Sequence, residues 1–87
     1  MYEVDILPRV YKAFRRLPNE TLKRIVRRIQ SLGEQPRPPG CKKLRGQEDV
    51  YRIRVGEYRI LYRVRDAERR VIVLNIGHRR DVYRRLK

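Results

Sequence analysis

Three arginines, at positions 52, 54 and 59, are spaced so that they could act together on an anion. Arg52 and Arg54 are two residues apart, and on a strand that spacing puts both on one face. Val55 and Tyr58 flank Gly56-Glu57, a two-residue turn with glycine at its first central position, as a type II′ hairpin needs. Pairing outward from the turn sets Val55 opposite Tyr58, Arg54 opposite Arg59, Ile53 opposite Ile60 and Arg52 opposite Leu61. The hairpin is thus predicted to carry Arg52, Arg54 and Arg59 on a single cationic face. Like charges directly opposite each other destabilise a sheet, so Arg54 against Arg59 is a local cost that a bound anion would relieve.

The whole chain has the same sign. Lys and Arg number 24 against 10 Asp and Glu, giving a formal charge of +14 on 87 residues. Such a field suits nucleic acid, an acidic protein or an anionic surface. The length allows one domain, residues 1–87, with a modest core. No apolar run approaches the length that spans a membrane, and Glu3 and Asp5 stand where a signal peptide would be basic and then apolar, so a cytoplasmic protein is expected. Cys41 is alone and His78 is the one histidine, too few for a disulfide or for a zinc site. No metal or cofactor is expected.

The elements that must position the arginines follow from periodicity. Residues 2–7 read as an initial strand ended near Pro8. Val10, Ala13, Phe14 and Leu17 fall at helical spacing, and Pro18 stops that run. A second helix is expected to start with Asn19 as its N-cap and to close at Gly33. Leu22, Ile25, Val26, Ile29 and Leu32 form its apolar stripe, which leaves Lys23, Arg24, Arg27 and Arg28 for solvent or a partner. The proline-rich segment 34–40 is a connector, 42–49 leads into the hairpin, and 71–76 supplies a last strand. The order βααβββ predicts an α+β fold, an antiparallel or mixed sheet with two N-terminal helices packed on one face and the other face open. Ile72, Leu74 and Ile76 would then face the helices. Val71, Val73, Asn75, Gly77 and Arg79 would face the open side, with His78 of opposite parity.

Lys43-Leu44-Arg45-Gly46, Tyr51-Arg52-Ile53-Arg54, Tyr58-Arg59-Ile60-Leu61-Tyr62 and Gly77-His78-Arg79-Arg80-Asp81-Val82-Tyr83 occur in that order. Together they resemble the RelE branch of the RelE/ParE toxin superfamily over nearly the whole chain. The resemblance implies a toxin of a toxin-antitoxin pair, an endoribonuclease that cuts messenger RNA in the ribosomal A site without a metal. It also implies a fold like that of small microbial ribonucleases. Arg52 and Arg54 stand where such toxins often have catalytic lysines; Arg59, Arg79 and Tyr83 match the family's arginines and C-terminal tyrosine. Lys43, Arg45, Lys23, Arg27 and Arg80 are expected to hold RNA.

RNA cleavage without metal needs the 2′-hydroxyl deprotonated, the phosphate charge stabilised and the leaving oxygen protonated. Arginine stays charged at ordinary pH and serves the second need alone. Proton transfer is therefore expected of His78, the residue type that titrates near neutrality, with Tyr83 sharing it or stacking on a base. RNA or water in the ribosomal site is the alternative. Two other functions compete: a ParE-like gyrase inhibitor, and a basic RNA- or ribosome-binding protein with no chemistry. The implied partners are the ribosome, its message and an acidic antitoxin that covers the basic face or displaces the C-terminal tail, forming a hetero-oligomer.

Overall fold

A computed structural model describes residues 1–78. The elements are β1 (Glu3–Ile6), α1 (Pro8–Phe14), α2 (Asn19–Ser31), β2 (Lys42–Lys43), β3 (Val50–Val55), β4 (Tyr58–Arg65) and β5 (Arg70–His78). The five strands form one sheet in the order β1-β5-β4-β3-β2. β1 runs parallel to β5 and the other pairs are antiparallel. The expected α+β architecture is present, with one addition, the two-residue β2 at the sheet edge.

The hairpin has the predicted register from Val55↔Tyr58 to Arg52↔Leu61. Gly56 has φ +60° while Glu57 is not left-handed, the combination of a type II′ turn. On the face under the helices, Ile53, Val55, Ile60, Tyr62 and Val64 join Val10, Ile25, Ile29 and Leu32 in one apolar core. Tyr62 is fully buried, and its hydroxyl donates to the Pro36 carbonyl at 2.8 Å, which fastens the proline-rich connector to the core. Burial pushes the ionisation of that hydroxyl up.

Helix ends differ from expectation. Asn19 is the first residue of α2, Pro18 takes the N-cap position, and no side chain caps the helix. Proline fixes an extended backbone there without supplying a hydrogen-bond acceptor on its side chain. Gly33 does not terminate α2 by a left-handed turn. It is buried because β1 passes close by: Tyr2 N–H donates to the Gly33 carbonyl at 2.8 Å, and a Cβ on Gly33 would lie 3.0 Å from the Tyr2 carbonyl oxygen. Along the stripe of α2, Ile25, Ile29 and Leu32 are buried, whereas Leu22 and Val26 are partly exposed.

The faces of β5 require a correction. Leu61 pairs with Asn75 but Tyr62 pairs with Val73, so Leu74 is an extra residue in the strand. This bulge shifts the alternation by one. Val71 and Val73, not Ile72 and Leu74, enter the core, and Ile76 enters it as well. Past the bulge Asn75 and Gly77 take the arginine side and His78 the helix side, as their spacing from Ile76 predicts.

Candidate functional site

Arg52, Arg54 and Arg59 lie on the sheet face away from the helices, in a patch set by the tight Gly56 turn. In register, Leu61 and Asn75 extend the row from Arg52, and Gly77 sits beyond Arg59. The face is less open than the alternation predicts. Leu61 and Val50 are fully buried, and Arg52 is 8% exposed. Arg63 Nε donates to the Glu48 carbonyl at 3.3 Å, drawing the 44–49 segment against one end of this face. Arg54 is exposed and Arg59 half-buried.

The carboxylates that form ion pairs are elsewhere. At the β1 edge Arg70 binds Asp5 Oδ2 at 2.6 Å and Glu3 Oε1 at 3.1 Å. Arg37 grips Asp66 with two hydrogen bonds, at 2.8 and 3.1 Å, and Tyr2 donates to the same carboxylate at 2.6 Å. The guanidinium of Arg37 and then the Tyr2 hydroxyl hold the Asp66 carboxyl down at about 2. Arg37 also lies over the Tyr51 ring, 5.1 Å from its centroid. None of the ion pairs among the described residues includes Arg52, Arg54 or Arg59. The sheet is therefore electrically sorted, with paired charge at the β1 edge and uncompensated cations at the hairpin.

α2 contributes to the hairpin through residues other than those predicted. Lys23 and Arg27 are exposed on the outer side of the helix, and Lys23 is 3.9 Å from Glu20. Arg24 instead reaches the turn, with its guanidinium 3.6 Å from where a Gly56 Cβ would be. Arg28 joins Lys42, Arg52 and Arg54 around a hollow of about 300 Å³ at the β3 edge. β2 pairs with Tyr51 and Arg52 alone, so that edge is uncovered by a strand beyond Arg52. A sequence signal for this pair existed: Arg24 and Arg28 immediately precede the buried Ile25 and Ile29 on the same helical ridge. Lys43 and Arg45 are exposed beside β3.

His78 is separated from the arginines. It pairs with Tyr58 on the helix face, ring centroids 5.4 Å apart and edge to face. Arg79, Arg80 and Tyr83 lie outside the described residues.

The family model for the ParE toxin of type II toxin-antitoxin systems matches residues 4–83. The chain belongs to the RelE/ParE toxin superfamily. Within it, this toxin is 34% identical over 86 residues to the toxin RelE1 of Methanocaldococcus jannaschii, covering 95% of this chain and 96% of that protein. It is 31% identical to the mRNA interferase toxin RelE of Escherichia coli, over 90% of this chain and 83% of that one. In three dimensions the toxin matches the RelE of a RelE-RelB complex from Pyrococcus horikoshii with a TM-score of 0.82 at 31% identity, covering 91% and 96% of the two chains. Its α+β fold is thus the fold of RelE structures.

Proposed function

We propose that this toxin is a ribosome-dependent endoribonuclease that cleaves messenger RNA in the A site and thereby stops translation. The observation that carries the reading is the triad Arg52, Arg54 and Arg59, held on one rigid hairpin face with no ion-pairing carboxylate among the described residues. A fixed array of guanidinium groups suits a phosphate that gains negative charge as the 2′-oxygen attacks. Arg52, sheltered from water, offers its charge where screening is weakest. Arg28 and Lys42 extend the array for the neighbouring phosphate. The E. coli relative's designation as an mRNA interferase supports the same reading.

Proton transfer falls to other groups, since a guanidinium neither takes nor gives a proton at ordinary pH. His78 was the expected base, but its place on the helix face gives the arginine side no histidine among the described residues. The reading therefore assigns proton transfer to Tyr83 together with water or RNA groups of the ribosomal site. An acidic antitoxin is the proposed partner; relatives of this fold occur in RelE-RelB complexes, and the cationic hairpin supplies the complementary charge.

Expression in a bacterial host tests the reading against its rivals. Growth arrest with messages cut within translated codons supports it. Arrest with DNA damage and intact messages points to gyrase, and RNA binding without arrest points to a plain binder.

A further inference from the structure

On the helix face, away from the arginines, α1 and the free end of β5 enclose a second cleft of about 540 Å³. Arg9, Lys12 and Arg16 line one wall, Tyr58 and His78 another. The three cations are three and four residues apart, which stacks them along one side of the helix and the turn after it. All three are exposed. α1 has no acidic residue, and none of the ion pairs among the described residues uses these cations. Like charges at this spacing weaken a helix, and α1 has seven residues over which to offset the cost. Across the cleft, Tyr58 and His78 are direct cross-strand partners in edge-to-face contact.

Cations along one wall and two aromatic rings on the other are the two things that single-stranded RNA uses: neutralised phosphates and a surface on which a base stacks. An acidic peptide would satisfy the cations but has no use for the rings. We propose that this cleft binds one or two nucleotides of single-stranded RNA, as a contact separate from the arginine face. A message lying on the arginines would pass around the end of β5 and be gripped again between α1 and the Tyr58-His78 pair. The proposal rests on the RNA-cleavage reading for the identity of the strand.

The test is fluorescence anisotropy of the full chain, without ribosomes, using a labelled single-stranded RNA of about 10 nucleotides. The triple variant Arg9→Gln, Lys12→Gln, Arg16→Gln changes exposed positions. It should bind about tenfold more weakly at 0.1 M salt, with a salt slope smaller by about 2. Tyr58→Leu keeps an apolar group against the core and should weaken RNA binding about tenfold, while binding of poly-glutamate is retained. In photo-crosslinking, 4-thiouridine RNA should label Tyr58 or His78. Unchanged affinity and slope in the triple variant would overturn the proposal. So would a triple variant that loses poly-glutamate but keeps RNA, which would assign the cleft to an acidic polypeptide. Binding is read without ribosomes and cleavage with them, so the two readings fail separately.

Discussion

Arg54 lies directly opposite Arg59, one pair from the turn, and Arg59 turns its guanidinium back toward the Tyr58 and Gly56 carbonyls, at 3.2 and 3.5 Å. The backbone of the turn thus absorbs part of a repulsion that no ion pair relieves. Arg54→Thr removes the repulsion and places a good strand former at the site. We expect the isolated protein to gain about 0.5 kcal/mol in denaturant unfolding and to lose function, a gain in stability at the expense of activity.

Arg28 should matter more than Arg27. Arg28 faces the hollow shared with Arg52 and Arg54, while Arg27 is exposed on α2's outer side. Arg28→Gln should lower RNA affinity and reduce the salt slope by about 1. Arg27→Gln should have a smaller effect on both, measured in the same titration.

Acid stability should depend on Asp66. Its carboxyl titrates at about 2 in the folded chain, against an ordinary value of 3.8. A depressed folded value stabilises the protein above about pH 4, and that contribution is lost as pH falls toward 2. Asp66→Asn removes both the contribution and its pH dependence. Thermal melts should show the wild type losing more stability than the variant between pH 5 and pH 2.

Gly33→Ala should be destabilising although α2 has just ended and alanine favours helix. The added methyl would lie 3.0 Å from the Tyr2 carbonyl oxygen, in the contact that seats β1. Shifting that backbone costs about 1–3 kcal/mol, read as a fall in the unfolding midpoint.

The hairpin was legible in the sequence down to its register, because a glycine-first turn and strict alternation leave one pairing that buries Ile53 and Ile60 together. The βααβββ order was legible for the same reason, from periods and breakers. The Leu74 bulge was not. An extra residue in a strand has no signature when every candidate from Val71 to Leu74 is aliphatic, so either parity reads equally well. The Gly33 contact was hidden because it depends on β1, which is distant in sequence. At the site, residue types gave the charged face but not which basic residues of α2 reach it. Arg24 and Arg28 differ from Lys23 and Arg27 by the helix's rotation against the sheet, a tertiary quantity.

The central claim is that the arginine face stabilises the cleavage of RNA on the ribosome. Purified ribosomes programmed with a defined message and incubated with the full chain test it, with cut positions read by primer extension. Wild type should cut within the A-site codon on the ribosome and leave the same RNA intact when it is free. Arg54→Ala and Arg59→Ala should each slow the single-turnover rate about 100-fold, and Arg79→Ala and Tyr83→Ala should slow it too. An intact message with wild type, or unchanged rates in Arg54→Ala and Arg59→Ala, would contradict the account.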